Sequence, residues 1–461
     1  MNVKQIYTSC LSQAAYFIES DGVSAVIDPL RDIDPYIQLA EKYNSKIKYV
    51  FETHFHADFV SGHLTLAKKT NAKIVFGPES DPNYDAIISK ENQVFKIGKL
   101  SLTVIHTPGH TLESTSYLLY DQNGKQKCLF TGDTFFLGDV GIPDVAQRYK
   151  GVSKEELAGI LYDSINKKIK PLDKDILIYP GHGAGSACGK KMMKKTVDTL
   201  ENQLKLNYSI NGSFSREQFV EELTTNLPEP PSYFPANVKL NQEGYTDIDD
   251  VLKKALNPLS VDEFIKKSNK NNHVIIDTRT NDEFKQGHIP KSLFFGLNGQ
   301  FASWVGSVIK NINTKILLVT SNGKEKETVE RLSRIGFDGV TGFLEGGFKS
   351  WIISKKEISI IDQTTPKDVG LIDSPTDYID VRKRVEFEEG YVKKALNIPL
   401  DHIDNYKLKL DKSKVYHIYC AGGYRSMIAC SVLKKNGFKS VVDISGGFYK
   451  IKTSKPEIIN I

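Results

Sequence analysis

The second half of this 461-residue chain repeats itself at a spacing close to 100 residues. Asp277-Thr-Arg279 reappears as Asp380-Val-Arg382 at an offset of 103, and Leu344-Glu-Gly-Gly-Phe348 reappears as Ile444-Ser-Gly-Gly-Phe448 at an offset of 100. A repeat of this length is the size of a small domain. Each copy contains apolar runs typical of buried strands, followed by helical patterns. We therefore predict two related α/β domains with parallel sheets.

The part of the chain before the repeat is long enough for one further domain. It alternates short β-rich runs with loops and amphipathic helical patterns, and it is followed by the proline-rich segment Leu227–Pro235. Three prolines within four positions of this segment can continue neither a helix nor a central strand. We therefore predict three domains, with limits at 1–245, 255–358 and 365–461.

The composition argues against several classes of partner. The chain is 40% hydrophobic and 25% charged, and no window approaches the roughly 20 apolar residues of a membrane span. The net charge is +5, but the lysines are scattered among acidic residues and form no stripe that could follow a phosphate backbone. The five cysteines include no Cys-x-x-Cys pair, and the N-terminus has no apolar core of a secretory signal. We expect a cytoplasmic protein with free thiols and with no nucleic-acid or membrane partner.

Potential metal ligands follow four predicted strands of the first domain. If these strands lie side by side, their loops converge at one edge, which is how a rigid scaffold positions a metal. Glycine-containing turns precede three of the ligands. The strand runs are Ile47–Phe51 before His54, Leu102–Ile105 before His106 and His110, Cys128–Phe130 before Asp133, and Ile176–Tyr179 before His182. We predict a metal site among His54, His56, Asp58, His110, Asp133 and His182.

These ligands belong to four short motifs that follow one another in a fixed order. His-x-His-x-Asp, Thr-Pro-Gly-His, Gly-Asp and Gly-His end at Asp58, His110, Asp133 and His182. They resemble the motifs of the metallo-β-lactamase superfamily, and the resemblance implies an αβ/βα sandwich. Hydrolases of this fold, such as glyoxalase II, usually hold two metals and have a histidine directly after the first aspartate. This chain has Phe59 there, and because a phenyl ring cannot bind a metal, a second ion would lack one ligand.

Two further segments, Gly138-Asp-Val-Gly141 and Pro180–Gly189, resemble the persulfide dioxygenases. The resemblance implies one Fe(II) per chain, held by two histidines and one aspartate that correspond to His54, His110 and Asp133. Three protein ligands leave positions open for a substrate sulfur and for O₂, which only a redox-active metal can activate.

The remaining polar residues of these motifs then take supporting roles. His56, Asp58 and His182 would orient the ligands or the substrate, or would hold a second metal in a hydrolase. Cys188 lies six residues after His182 and is a candidate for carrying or positioning a persulfide. A small buried core residue is the alternative interpretation of this cysteine.

A second chemical motif surrounds Cys420, which follows the apolar run Val415–Tyr419. Two glycines after the cysteine let consecutive backbone N–H groups curl around the sulfur, and the N-terminus of the helix predicted to follow adds partial positive charge. Together with Arg425, these donors should favour the thiolate and a persulfide formed on it. The loop that we assign to this role comprises Ala421, Gly422, Gly423, Tyr424 and Ser426.

The pattern Cys-x-Gly-Gly-x-Arg-Ser resembles a rhodanese (thiosulfate sulfurtransferase) domain, and the resemblance implies that Cys420 is the catalytic nucleophile. Tyr391 stands where that family usually has histidine. The first copy of the repeat has no cysteine in the aligned segment Val319–Glu325. We therefore predict a catalytically silent rhodanese-like domain that packs the other two domains together or presents a surface.

Together these resemblances cover nearly the whole chain. They imply a persulfide dioxygenase domain followed by two rhodanese-like domains, of which the first is catalytically silent and the second is active. They imply that a small-thiol persulfide is oxidised by O₂ to sulfite, and that Cys420 then transfers sulfane sulfur to sulfite to give thiosulfate, in sulfide detoxification. They also suggest a homo-oligomer. One alternative is a dizinc hydrolase of the glyoxalase II type, cleaving thioesters, with a fused sulfurtransferase. Another is a non-oxidising sulfur carrier or sensor.

Overall fold

The computed structural model describes residues 1–143, 151–227, 229–270, 272–369 and 378–460. Pro228 of the proline-rich segment and residues 370–377 of the predicted third domain lie outside this part of the chain. The chain divides into two compact units, of which the first comprises Met1–Ile248 with Ser333–Gly336 and the second comprises the rest. The limits 1–245, 255–358 and 365–461 stay predictions. Within the described residues, no helix has the length and apolar character needed to cross a membrane.

The first unit contains two six-stranded sheets. The first sheet runs in chain order and consists of β1 (Asn2–Thr8), β2 (Gln13–Ser20), β3 (Val23–Ile27), β4 (Lys46–Phe51), β5 (Lys73–Phe76) and β6 (Ile87–Ile88). The second has the order β12-β11-β10-β9-β8-β7, formed by β7 (Val94–Ile97), β8 (Leu100–His106), β9 (Thr115–Tyr120), β10 (Gln126–Gly132), β11 (Leu177–Pro180) and β12 (Asp198–Thr199).

Helices cover the outer face of each sheet. Apolar side chains of the two sheets meet in one core, and separate cores lie between the first sheet and its helices and between the second sheet and its helices. This layering confirms the predicted αβ/βα sandwich. The helices are α1 (Asp34–Lys42), α2 (His63–Thr70), α3 (Lys154–Ser164), which continues as a π-helical turn (Ile165–Ile169), α4 (Leu200–Leu206), α5 (Arg216–Thr224) and α6 (Phe234–Glu243), followed by α7 (Ile248–Ala255).

The four strands that precede the predicted ligands do not lie side by side in one sheet. β4 belongs to the first sheet, whereas β8, β10 and β11 belong to the second, where β9 separates β8 from β10. The loops still meet, because the two sheets pack face to face and the strands end at a shared edge.

The second unit begins with a five-stranded parallel sheet in the order β13-β17-β16-β14-β15. Its central strands are continuous apolar runs, as expected where helices cover both faces. The strands are β13 (Pro258–Leu259), β14 (His273–Asp277), β15 (Leu293–Phe294), β16 (Lys315–Val319) and β17 (Val340–Leu344), with helices α8 (Val261–Ser268), α9 (Asn281–Gln286), α10 (Phe301–Ile309), α11 (Glu325–Ser333) and α12 (Gly347–Ile353).

A second five-stranded parallel sheet has the matching order β18-β23-β22-β19-β21 and confirms the predicted repeat. Its strands are β18 (Asp362–Thr364), β19 (Tyr378–Asp380), β21 (Leu396–Asn397), β22 (Val415–Tyr419) and β23 (Ser440–Ile444), while β20 (Tyr391–Val392) pairs with β24 (Ile459–Asn460). The helices are α13 (Arg384–Glu388), α14 (Ile403–Tyr406), α15 (Tyr424–Lys435) and α16 (Gly447–Ser454).

The repeated Asp-x-Arg motif has the same structural role in both copies. Arg279 bonds to Asp277 at 2.6 Å and lies 4.0 Å above the ring of Phe348. Arg382 bonds to Asp380 at 2.6 Å and lies 3.9 Å above Phe448. Each buried arginine is thus neutralised by a bidentate carboxylate and covered by an aromatic face of its own domain.

Candidate metal centre and cysteine loop

Three predicted ligands from three loops come together in the first unit. His54 follows β4, His110 follows β8, and Asp133 follows β10. All three are buried, and one ligand atom from each lies within 4.8 Å of the others. The Nε2 atom of His110 is 3.8 Å from Oδ2 of Asp133. Two imidazoles with one carboxylate are the donor set of non-haem iron sites.

Hydrogen bonds to Nδ1 determine the tautomers of both histidines. His110 Nδ1 is 2.8 Å from the carbonyl oxygen of Ile142, which can only accept, so Nδ1 carries the proton. His54 Nδ1 is 2.9 Å from Oγ1 of Thr53. That hydroxyl donates its own proton to Asp28 Oδ2 at 2.9 Å and therefore accepts from His54. Each ring thus has the unprotonated Nε2 that a metal requires.

The surroundings of Asp133 fit a bound cation. Both carboxylate oxygens are buried and have no hydrogen-bond partner among the described residues. A side chain at Gly181 would collide with Asp133 Oδ1, so only glycine allows this close approach. Because a buried carboxylate without donors is costly unless a positive charge balances it, the site favours a divalent metal.

A second group of potential ligands adjoins the first. One ligand atom each of Asp58, His182 and Cys188 lies within 4.8 Å of the other two. His182 Nε2 is 3.4 Å from Asp58 Oδ2 and 3.5 Å from Asp133 Oδ1, so His182 connects the two groups. Burial raises the pKa of Asp58, although nearby His182 opposes the shift. Cys188 therefore lies at the site and not in a distant core.

His56 belongs to a third group, which sequence reasoning did not identify. Its Nε2 lies 3.1 Å from Asp28 Oδ1 and 3.5 Å from Glu52 Oε2. Burial alone would lower the pKa of His56, but the neighbouring carboxylates, Asp28 foremost and then Glu52 and Asp58, together raise the pKa to about 9. Asp28 directly follows β3 and Glu52 directly follows β4, so the rule that found His54 and Asp133 would have found both carboxylates.

Phe59 stands directly after Asp58, where the resemblance to two-metal hydrolases implies a histidine. Its side chain is fully buried, and its ring centroid is 4.2 Å from that of His56. The phenyl ring therefore packs against the third group and supplies no donor atom to the pair Asp58 and His182.

One backbone donor of the loop around Cys420 contacts the sulfur. The thiol is buried, the N–H of Gly423 donates to Sγ at 3.1 Å, and Ser426 Oγ lies 3.7 Å from Sγ. Gly423 is the N-cap of α15 and has φ +106°. A residue with a side chain would adopt this backbone conformation only with strain. Of the other loop residues, Ala421 accepts a hydrogen bond from Tyr449 N–H, Gly422 has open space beside it, and the Tyr424 hydroxyl donates to the Gly296 carbonyl.

Arg425 contacts a partner that the sequence interpretation did not assign to it. Its guanidinium donates two hydrogen bonds to Glu386 of α13, at 2.6 and 2.7 Å. Burial alone would raise the pKa of Glu386, but Arg425 outweighs burial and lowers it. The described hydrogen bonds of Arg425 thus go to a carboxylate, and its influence on Cys420 is through charge.

The first copy of the repeat differs at the same positions. Thr320 takes the place of Cys420, and its hydroxyl donates to Glu325, which takes the place of Arg425. This segment therefore has no sulfur nucleophile at the position of Cys420 and no positive charge at the position of Arg425.

Tyr391, which differs from the usual rhodanese histidine, occupies a packing position. It stacks on Phe387 at 4.0 Å. His288 stacks on Phe284 in the same way in the first copy, at 4.0 Å.

Fold and site together define a metal-binding sandwich of the metallo-β-lactamase type, joined to two parallel α/β domains of which one has a buried cysteine loop. The family model described as "Metallo-beta-lactamase superfamily" matches residues 8–182. The model described as "Rhodanese-like domain" matches residues 260–354 and 369–454. A solved metallo-beta-lactamase from Staphylococcus aureus subsp. aureus COL is 31% identical with a TM-score of 0.66, covering 75% of this chain and 98% of that one. The chain belongs to the metallo-β-lactamase superfamily and carries two rhodanese-like domains.

Two other similarities concern the first unit. The hydroxyacylglutathione hydrolase GloC of Haemophilus influenzae is 27% identical over 214 residues, which are 41% of this chain and 95% of that protein. The structure of ETHE1 from Myxococcus xanthus is 27% identical with a TM-score of 0.44, covering 52% of this chain and 98% of that one.

Proposed function

We propose that the first unit is an Fe(II)-dependent persulfide dioxygenase and that the Cys420 domain is a sulfurtransferase acting on its product. The observation that carries the proposal is the group of His54, His110 and Asp133, whose donors match non-haem iron, together with Phe59 in place of a second-metal ligand. A ferrous ion bound there would supply the redox chemistry that activation of O₂ requires.

The protein's own residues would hold the substrate beside that ion. Asp58, His182 and Cys188 lie next to the ligand group and are buried, so they can contact the persulfide of a small thiol in a site that excludes water. Exclusion of water prevents side reactions of the oxidised sulfur. Sulfite is the proposed product.

Sulfur transfer would then take place at Cys420. The thiolate attacks the outer sulfur of a second persulfide, a new S–S bond forms, the old S–S bond breaks, and the small thiol leaves. Sulfite next attacks the outer sulfur on Cys420, which yields thiosulfate and restores the thiolate. The N–H of Gly423 stabilises the negative sulfur at both stages.

A thioester hydrolase is the second candidate. Its support is the similarity to hydroxyacylglutathione hydrolases and the position of His182 between Asp58 and Asp133, where a second metal would bind. Metal analysis separates the candidates, since the dioxygenase requires one iron per chain and the hydrolase two zinc ions. The sulfur carrier requires persulfidation of Cys420 without oxygen uptake. A homo-oligomeric state and a cytoplasmic location remain predictions.

The decisive experiment measures oxygen consumption, sulfite and thiosulfate with the iron-loaded protein and several small-thiol persulfides. The Cys420→Ser variant should shift the product from thiosulfate to sulfite while oxygen uptake persists. Cys430→Ala is the matched control, because Cys430 is buried in α15 outside the loop. Loss of oxygen uptake in Cys420→Ser alone would contradict the division of labour between two sites.

A further inference from the structure

A line of buried polar groups leads away from Cys420, and the proposed transfer makes no use of it. The thiol of Cys420 points its hydrogen bond at Ser426 Oγ, 3.7 Å away, and the Ser426 hydroxyl donates to Asp443 Oδ1 at 2.6 Å. The exposed fractions of Cys420, Ser426 and Asp443 are 1%, 0% and 1%, so water does not compete for these bonds.

The other oxygen of Asp443 is held by a fixed donor. Lys285 Nζ donates to Gln363 Oε1 at 2.9 Å, which orients the amide so that its Nε2 donates to Asp443 Oδ2 at 3.0 Å. Oδ2 is therefore an acceptor, and Oδ1 is the oxygen that can exchange a proton with Ser426. Burial raises the pKa of Asp443, although Ser426 and Gln363 oppose the shift, which makes this carboxylate a better proton acceptor.

The first copy has none of these groups at the aligned positions and has no cysteine there. At the offset of 100, Thr320, Lys326 and Phe343 replace Cys420, Ser426 and Asp443. Phe343 pairs with Pro258 in its sheet, whereas Asp443 pairs with Gln363 in the other. A set of residues needed only to support the nucleophile would show this joint replacement, whereas residues needed for the fold of both copies would not.

We propose that Ser426 and Asp443 form a proton relay for Cys420, an inference that rests on the proposed sulfurtransferase function. Before the attack on a persulfide, the thiol proton of Cys420 passes to Ser426 Oγ and the Ser426 hydroxyl proton passes to Asp443 Oδ1, which leaves the thiolate that attacks the outer sulfur. The small thiolate that leaves takes a proton from solvent. When sulfite removes the sulfur, the restored thiolate regains its proton from Asp443 through Ser426.

Other charges near the relay do not replace it. Lys285 of the first copy and Cys430 of α15 face Asp443, and Arg425 of α15 acts on Cys420 by charge. Lys285 is hydrogen-bonded to Gln363 and Arg425 to Glu386, and burial raises the pKa of Cys430 well above its ordinary value. None of these groups receives a hydrogen bond from the Cys420 thiol or from Ser426.

The test measures the rate of iodoacetamide alkylation of Cys420 against pH in the full chain, with mass analysis of the Cys420 peptide. In the unsubstituted protein the alkylation rate should rise with pH in two steps. Once Cys420 and Asp443 have lost the first of their two protons, the relay can place the remaining proton on Asp443, so that part of Cys420 is already thiolate. Loss of the second proton then gives the second step. Asp443→Asn should leave one step and lower the rate on the acidic side by at least about 10-fold, with little change at high pH.

Matched variants separate the relay from a merely structural role. Ser426→Ala should behave like Asp443→Asn, whereas Ser426→Thr keeps a hydroxyl and should show two steps. Ser431→Ala should match the unsubstituted protein, because Ser431 is buried in the same helix and its hydroxyl donates to the Ile428 carbonyl. A single step in the unsubstituted protein, or an equal loss at every pH in Asp443→Asn, would overturn the relay. Alkylation of Cys420 needs neither metal nor persulfide. A protein whose alkylation rate rises in two steps but which makes no thiosulfate would therefore refute the proposed function and leave the relay standing.

Discussion

Thr53 connects the imidazole of His54 to Asp28, which directly follows the neighbouring strand β3. Its hydroxyl accepts from His54 Nδ1 and donates to Asp28, and its backbone N–H donates to the same carboxylate at 2.8 Å. Asp28 itself has φ +50°, a conformation that non-glycine residues adopt at a cost. The Asp28 carboxylate is thus held where it orients the His54 ring through Thr53. The same hydrogen bonds make Nε2 of His54 a stronger electron donor to a metal.

We therefore predict that Thr53→Val weakens metal binding by about 10- to 100-fold, the usual effect of removing a hydrogen bond to a ligand. Valine keeps the shape and removes the hydroxyl. Metal titration against a competing chelator measures the effect. Thr65→Val is the control, because its buried hydroxyl has no hydrogen-bond partner among the described residues. Equal affinity in Thr53→Val and the control would show that Asp28 does not act on the metal site.

At the scale of elements, the first turn of α15 packs against the silent copy. The Tyr424 hydroxyl bonds to the Gly296 carbonyl at 2.7 Å, and the Tyr424 ring lies edge-on to Phe294 at 5.8 Å. Asn281 at the start of α9 donates to the Gly423 carbonyl at 3.0 Å. The copy without a nucleophile therefore supports the loop that holds one, which gives it a role within the second unit.

Substitution of Gly299 tests this support. A methyl group at Gly299 would overlap the Tyr424 ring, so Gly299→Ala should displace the cysteine loop and reduce sulfur transfer, at a stability cost of about 1–3 kcal/mol. Steady-state transfer from thiosulfate to cyanide, with thermal unfolding in parallel, measures both effects. Asn298→Ala at the neighbouring exposed position should change neither. Unaltered transfer in Gly299→Ala would mean that the loop holds its shape without the first copy.

At the scale of the whole molecule, the two chemistries belong to different compact units. Every residue of the three potential ligand groups lies between Asp28 and Cys188, whereas the sulfur loop and its proposed relay lie between Gln363 and Asp443. The two sites share no described residue, so each should work without the other.

Removal of the metal should therefore separate the activities. We expect a strong chelator to abolish oxygen uptake and re-addition of Fe(II) to restore it, while sulfur transfer from thiosulfate by Cys420 stays unchanged. Oxygen electrode and transfer assays on the same samples measure the outcome. Loss of both activities on chelation would show that the cysteine loop depends on the metal.

Local patterns were enough to predict much of the site. His54, His110 and Asp133 each follow a strand and a short turn, and the cysteine loop has its glycines and arginine within five residues. The repeat likewise predicted the two parallel sheets. Asp28 and Glu52 also follow strands, but without a recognisable motif they did not stand out. The hydrogen bonds of Arg425 were misassigned because Glu386 is 39 residues away in sequence.

The sequence by itself determined the domain types and indicated the residues that we propose for metal and sulfur chemistry, because strand periodicity, glycine turns and ligand spacing are local properties. The tertiary structure alone decided which polar groups meet. It joined Cys188 to His182, His56 to Asp28, Tyr424 to the silent copy and Asp443 to Ser426. Such contacts depend on how sheets and helices pack, and packing is set by the summed burial of many apolar side chains rather than by any one segment.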